Sequence, residues 1–337
     1  MTPKQNLTID DIARDLGVSK TTVSRAISGK GRISAATRER VLSYIEAMNY
    51  RPSAAAKGLA ESKTYNIALV LPKAFVKLDL PYIRQSMGAM CEEAYLWNYY
   101  ILVCLTPEDH STALLHAIGN RKVDGVILAR TVQDDALVEL LHKRDIPFAT
   151  VGSLPHALSG TATVEGDHDQ KGGCYAFSRM LLEQNNQSIA VLGNDMNYMV
   201  NQSRLAGFRQ ACTELHFPEE RVFVRTGLGD RQKCTAAANA LFDQGIRRFL
   251  CMDDEVCIRV TEALEQRGVR IPEEVQIASM YDSELLKNHH PAISALCFDA
   301  AELGRVICRE LLRSLNEEDF DPQPILGYRI ALRDSTK

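Results

Sequence analysis

From Tyr65 onward the chain alternates short, uninterrupted apolar runs with helix-length segments of mixed character. The runs 67–71, 100–104, 126–129 and 148–151 are followed by 189–192, 222–224, 249–252 and 277–279. A strand with no polar alternation is buried on both faces. Strands of that kind separated by helices form parallel sheets with right-handed crossovers. A segment of about 270 residues is at the size where one core stops growing, so the pattern predicts two α/β halves. The break is expected near 152–166, where Pro155, Gly160 and Gly166 interrupt the alternation.

The first 60 residues differ in both pattern and charge. They carry ten Lys/Arg against five acids, whereas the remaining 277 carry 29 against 38. A basic head on an acidic body points to a polyanionic partner. Thr8 followed by Asp11 is close to a capping box, and Ile9, Ile12, Ala13 and Leu16 then share one helical face, stopped by Gly17. Ser19 is placed to cap a second helix with Val23, Ala26 and Ile27 inward. Ser34 caps a third, with Val41, Leu42, Ile45 and Met48 as its apolar repeat. Two helices joined by a three-residue turn containing Gly make a helix-turn-helix.

The outward groups of the second helix, Lys20, Thr21, Thr22, Ser24 and Arg25, are hydrogen-bonding side chains, several of them at its N-terminus. That is the end a recognition helix inserts into the major groove, where Arg and Lys address guanine and Thr serves phosphate, a polar base edge or a thymine methyl. The alternative is a solvated face on a small bundle. Next comes 50–60, in which Pro52 and three alanines favour a helix but Gly58 and the short length make it marginal alone in water. Such a segment orders against something else. In a minor groove Leu59 can wedge between base steps; otherwise the segment is a linker whose Leu docks on the body.

The run T-I-D-D-I-A-R-D-L-G-V-S-K-T-T-V-S-R-A-I-S over 8–28, then T-R-E-R-V-L over 37–42 and N-Y-R-P over 49–52, resembles the head of the lactose repressor/galactose repressor (LacI/GalR) family. V-D-G-V-I at 123–127, R-L-A-G-F at 204–208, M-D-D at 252–254, I-P-E-E-V at 271–275 and L-R-D-S-T at 332–336 extend the resemblance along the chain. It implies an N-terminal all-α helix-turn-helix head over 6–50, a hinge over 51–64, and a periplasmic-binding-protein-like body over 65–337 of two doubly wound parallel α/β subdomains. These are expected at 65–160 plus 297–325 and at 165–296, the run 293–298 and the helix after it returning to the first half. It also implies base reading by Lys20, Thr21 and Arg25, a hinge leucine at Leu59 with Ala56 one turn before it, and a backbone contact from Arg32. With the two helix-capping hydroxyls, the candidate DNA contacts are Thr8, Ser19, Lys20, Thr21, Thr22, Ser24, Arg25, Arg32, Ala56 and Leu59.

In open α/β sheets ligands sit beyond the carboxyl ends of the strands. The groups found there are Arg130, Ser153, Asp254 and the pair Tyr281-Asp282; Asp167 or Asp169 opens the second half, and Arg204 follows the strand at 189–192. Carboxylates accept hydroxyl protons, Arg donates to ring oxygens, and Tyr82 or Tyr281 can cover an apolar ring face. The candidate effector site is Tyr82, Arg130, Ser153, Asp167, Arg204, Asp254, Tyr281 and Asp282, which suits a sugar-like polyol. The competing reading is that strand-end aspartates cap the helices that follow. The resemblance implies that Arg204, Asp254 and an aspartate at Asp282 approach the effector, and Tyr281 stands where the family has another aspartate.

No phosphate-binding loop is present. Gly227-Leu-Gly229 lacks the third glycine of a dinucleotide site, and 167–178 fails as a calcium loop at its fifth and twelfth positions. His289-His290 lacks further ligands. The nine cysteines form no C-x-x-C and are expected to be reduced core residues. No apolar stretch approaches a membrane span, and the N-terminus has no signal-like apolar region, so a cytoplasmic address is expected. One head offers too few contacts for specific binding, so a homodimer on pseudo-palindromic operator DNA is expected, with a small-molecule effector, no cofactor and no metal. The expected function is an effector-responsive transcription regulator, a repressor of carbohydrate genes. The rival is a sugar-modifying enzyme with an accessory DNA-binding head.

Overall fold

The computed structural model describes residues 7–28, 31–48, 50, 61, 63–72, 81–106, 112–155 and 163–337. The chain divides into two compact units between Thr64 and Tyr65.

The first unit holds α1 (Ile9–Leu16), α2 (Lys20–Ser28) and α3 (Ala35–Ala47). Thr8 and Asp11 form a reciprocal capping box at the start of α1, and Gly17 ends it in the left-handed region at φ 61°, which an L side chain adopts only with strain. The three-residue turn then delivers α2. Ile12, Val23 and Val41, fully buried, are the centre of a small core with Ala13 and Ala26. Tyr44 of α3 donates to Asp15 at 2.5 Å and Arg40 to the Leu16 carbonyl at 2.7 Å, so α3 is tied to α1 by polar bonds as well as packing. The apolar repeat of α3 is narrower than its sequence suggests. Val41 is buried and Tyr44 and Ile45 pack beside it, but Leu42 and Met48 are 44% and 48% exposed. A rotation of about 100° per residue takes Leu42 off the face of Val41, and Met48 lies beyond the last turn as the C-cap.

The second unit contains two six-stranded sheets. The strands are β1 (Asn66–Pro72), β2 (Tyr100–Thr106), β3 (Gly125–Leu128), β4 (Phe148–Val151), β5 (Thr163–His168), β6 (Ile189–Leu192), β7 (Val222–Arg225), β8 (Arg248–Cys251), β9 (Gln276–Ser279), β10 (Ser294–Cys297), β11 (Ile325–Leu326) and β12 (Arg329–Ala331). One sheet runs β11-β5-β4-β3-β1-β2 and the other β12-β10-β9-β8-β6-β7. Among the described residues every pairing between these strands is parallel except that of β12 with β10. The helices are α4 (Pro81–Leu96), α5 (Thr112–Gly119), α6 (Ala136–Lys143), α7 (Gln170–Gln184), α8 (Met199–Glu214), α9 (Arg231–Asp243), α10 (Asp254–Glu265), α11 (Glu284–Lys287) and α12 (Ala300–Leu315).

The expected division into halves shifts at both boundaries. β5, placed in or before the second half by sequence, pairs with β4 and belongs to the first sheet. Its Glu-Gly-Asp-His end hides it as a strand, and Gly166 is there because α12 lies against it: a Cβ would stand 2.1 Å from Ile307 Cγ1. The run 293–298 does not return to the first half. β10 pairs with β9, and only α12 and β11 go back, before β12 crosses again. The body therefore crosses between sheets three times, after β5, after β10 and after β11. Cys91 is exposed and Cys212 and Cys297 are half-buried, whereas the other six cysteines are buried; all nine are free thiols.

Residues 329–336 are fastened into the second sheet. Ser335 donates from Oγ to the Ile277 carbonyl at 2.6 Å and accepts from Ser294 N at 2.9 Å. Helices α7 and α8 cross at Gly207, where a Cβ would meet the Lys171 carbonyl oxygen at 2.3 Å. Helix propensity favours Ala over Gly by about 1 kcal/mol, but overpacking against backbone costs about 1–3 kcal/mol and wins here. Gly207→Ala is expected to lower stability in chemical unfolding; a stabilised variant would contradict this packing.

Candidate functional site

On α2, Lys20, Thr21, Ser24 and Arg25 are exposed on the face opposite Val23 and Ala26, as is Arg32 beyond it. Lys20 is paired with Asp10. Arg25 lies along Gly31, where an added Cβ would stand 3.0 Å from its Cδ. The three other hydroxyl candidates are already employed. Thr8 closes the capping box, and Ser19 accepts from Thr22 N at 3.1 Å while its hydroxyl meets that of Thr22 at 2.8 Å. Their first task is to satisfy helix N-termini. Ala56 and Leu59 lie outside the described residues, as does the rest of 51–60.

In the body, the carboxyl ends of strands from both sheets meet around a cavity of about 230 Å³. Six of the eight predicted effector groups line it: Tyr82, Arg130, Asp167, Arg204, Asp254 and Tyr281. Two do not. Ser153 stands behind Asp167, giving its carboxylate a backbone N–H at 3.0 Å and a hydroxyl at 2.9 Å. Asp282 is taken by Arg333, which donates to both its oxygens at 2.7 Å, and by the Cys297 thiol at 3.1 Å. A carboxylate held by a bidentate guanidinium is committed to that pair, and the pair ties 333 to the strand-end turn after β9. Asp167, and not Asp169, faces the cavity; Asp169 is the N-cap of α7 and accepts from Gly172 N at 2.8 Å.

Asp253, Gln170 and Asn201, outside the eight candidate residues, also line the cavity. Asp253 both caps α10, accepting from Val256 N at 2.8 Å, and faces the cavity, so capping and lining are not exclusive roles. Its position two residues past the end of β8 was the available signal. Arg204 is buried at 7% exposure. It donates from Nη1 to the Met252 carbonyl at 2.7 Å and from Nε to Gln170 Oε1 at 3.2 Å, and its guanidinium lies 5.8 Å over the Tyr281 ring. Arg130 is held by Asp135 at 3.1 Å, and Glu255 by Arg259. Tyr82, from the first half, meets Tyr281, from the second, edge to face at 5.7 Å.

Burial dominates the titration of these groups. It pushes Asp253 up to about 6, raises Asp167 against the opposing bonds from Ser153, and raises Asp254. Both tyrosine hydroxyls are held neutral. Three carboxylates, each also felt by the Arg204 charge, beside two arginines that hold protein partners, make a cleft rich in acceptors for hydroxyl donors.

Residues 8–53 match the bacterial regulatory proteins of the lacI family, and residues 178–336 the periplasmic binding protein-like domain. The chain is 26% identical to catabolite control protein A of Staphylococcus xylosus over 98% of this chain and 99% of that protein. Two solved structures share the fold. They are the lac repressor dimer bound to operator and an anti-inducer (TM-score 0.77, 20% identity, 98% of this chain and 99% of that one) and the regulator CelR in complex with cellobiose (TM-score 0.71, 23% identity, 98% and 99%). A helix-turn-helix head joined to a two-sheet ligand domain defines a DNA-binding transcription regulator. The chain is similar to lacI-family regulators, in the head by the family match and along its length by the Staphylococcus xylosus relative. Among the described residues no helix is long and apolar enough to cross a membrane.

Asp253 gives a pH test of the cleft. Its folded pKa of about 6 lies above the ordinary 3.8. The folded chain therefore holds a proton that the unfolded chain has released, and stability is lost as pH rises through about 6. Asp253→Asn keeps an N-cap side chain and removes the buried charge. It is expected to stabilise the effector-free protein by about 1–3 kcal/mol at pH 7.5 and to change little at pH 4. Equal melting shifts at both pH values would remove Asp253 from a buried site.

Proposed function

We propose that the protein is a dimeric, sequence-specific repressor of carbohydrate genes that acts in the cytoplasm and whose operator affinity is set by a neutral, sugar-like polyol bound between the two halves of the body. The observation that carries this reading is the cavity: Asp167, Asp253, Asp254, Arg204 and the Tyr82–Tyr281 pair in one chain with a helix-turn-helix head. The carboxylates accept effector hydroxyls, Arg204 donates to ring or hydroxyl oxygens, and the tyrosines cover the apolar ring face. Ser153 orients Asp167 and does not itself touch the effector; Arg130 contributes its free donors. The relatives support the chemistry in kind, since one solved structure holds cellobiose and another is a dimer on operator.

The head reads DNA through Lys20, Thr21, Ser24 and Arg25, with Arg32 on the backbone and Thr8, Ser19 and Thr22 fixing the helix ends that approach phosphate. The domain limits carry over as 6–50 for the head, 51–64 for the hinge, with Ala56 and Leu59 in the minor groove, and 65–337 for the body. A second copy is supported by the edge strand β2, whose Tyr100, Leu102, Val103 and Leu105 are each at least 40% exposed; an apolar open edge is a pairing surface. The effector acts by binding the two operator-affinity states unequally. We read the cleft as a switch and not as an enzyme, and a purified sample that consumes its ligand would reverse that.

Footprinting is expected to show two protected half-sites about one helical turn or a multiple apart. Arg25→Ala is expected to cost about 1–3 kcal/mol on the operator and to relax base preference; unchanged operator affinity, or a single half-site, would overturn the head reading. For the cleft, a thermal-shift screen of sugars, sugar phosphates and nucleosides identifies the effector. Arg204→Ala is expected to abolish the effect of that compound on operator binding while effector-free affinity stays within about threefold, a shift of well under 1.4 kcal/mol. A retained response would move the site elsewhere.

A further inference from the structure

The two halves of the body are joined by main-chain pairing at a place where no crossover runs. Residues 131–133 follow β3 of the first sheet, and 197–199 lead into α8 behind the second. Val132 and Tyr198 form an isolated antiparallel bridge. The Gln133 N–H donates to the Asn197 carbonyl at 3.0 Å and the Met199 N–H to the Thr131 carbonyl at 3.1 Å. Gln202 Nε2 adds a bond to Gln133 Oε1 at 2.8 Å. The 195–197 loop is braced for this pairing. Asn197 N donates to Asp195 Oδ1 at 2.9 Å, and Asn201 Nδ2 donates to the Asp195 carbonyl at 2.8 Å. Thr131 and Tyr198 line the cavity, and Val132 is buried at 8% exposure.

We propose that the pairing of 131–133 with 197–199 is a latch that holds the two halves together across the cleft before any effector arrives. Its bonds are between protein groups only. Closure therefore does not wait for a ligand to bridge the halves. The Tyr82–Tyr281 contact adds a second ligand-independent link between them. Two main-chain bonds of ordinary net strength keep the open form a minority without making it inaccessible. The effector then acts by loading a cleft that is already shut most of the time. The ligand therefore need not spend binding energy on drawing the two halves together. The regulatory meaning of the latch rests on the effector reading above, but its existence does not.

The geometry allows a direct test on the full chain. Val132 and Tyr198 form the non-hydrogen-bonded type of antiparallel pair, whose Cα atoms lie about 4.5 Å apart, within disulfide reach. The double variant Val132→Cys/Tyr198→Cys, treated with oxidised glutathione and no sugar, is expected to form the cross-half disulfide in most molecules, mapped by peptide mass spectrometry. In the unsubstituted protein without sugar, the Gln133 and Met199 amides are expected to exchange with solvent at least about tenfold more slowly than in free peptide. Met199→Pro removes one donor at the first position of α8, where proline is tolerated, after a residue already extended at φ −73°, ψ 126° as proline requires. It is expected to speed Gln133 exchange about three- to tenfold and leave the melting temperature nearly unchanged. Gln133 and Met199 amides exchanging at the free-peptide rate, or a folded double variant whose introduced thiols stay apart, would overturn the latch. Neither readout uses effector or DNA, so a failed latch leaves the regulator reading standing, and a failed effector screen leaves the latch standing.

Discussion

The body depends on three covalent crossings between two sheets whose strand ends face one cavity. At each crossing the backbone leaves one core and enters another, and its polar groups need partners there. His168, at the end of β5, donates from Nε2 to the Asp299 carbonyl at 3.1 Å, which ties the first crossing to the second. The Asp169 N–H donates to the Leu326 carbonyl at 2.8 Å, which ties the first to the third. Burial keeps His168 neutral by lowering its pKa to about 4, and a neutral ring with its proton on Nε2 is what a carbonyl partner demands. Asp167, Gln170 and Tyr281 take their places in the cleft from strands and helices fixed by these crossings.

Much of this was legible in the sequence because it is written in local chemistry. Thr8-x-x-Asp11 and Gly17 specify a helix with both ends capped. Apolar runs such as 67–71 and 189–192 have no solution but a strand buried on two faces. What stayed hidden is long-range. β5 carries Glu165, Gly166, Asp167 and His168, a polar string whose strand state is imposed by β4, β11 and the close approach of Ile307. β11 and β12 are two and three residues long, too short for any periodicity to show. At the site, residue type located groups such as Arg204 and Asp254 but not their partners. Arg333, 51 residues from Asp282, turns that carboxylate away from the cavity, and nothing near Asp282 in the chain announces it.

Charge sorts the cleft's possible ligands more sharply than shape does. Arg204 spends its donors on a carbonyl and an amide oxygen, Arg130 is matched to Asp135, and the carboxylates left facing the cavity have lost much of their hydration. A phosphorylated or acidic compound would add negative charge to a lining whose three carboxylates outnumber its two arginines, each of which already holds protein partners. A polyol meets the same carboxylates with hydrogen-bond donors and relieves their desolvation.

The fastening of 329–336 to the second sheet has a bearing on how the chain is made. β12 completes one sheet, while α12 and β11, made just before it, complete the other. Both cores of the body therefore wait for the same late stretch of polypeptide to leave the ribosome. The head needs only the first fifty or so residues. In a growing chain it can fold and cap its helices while the body is still an unfinished pair of sheets, so the part that recognises DNA is ready before the part that regulates it.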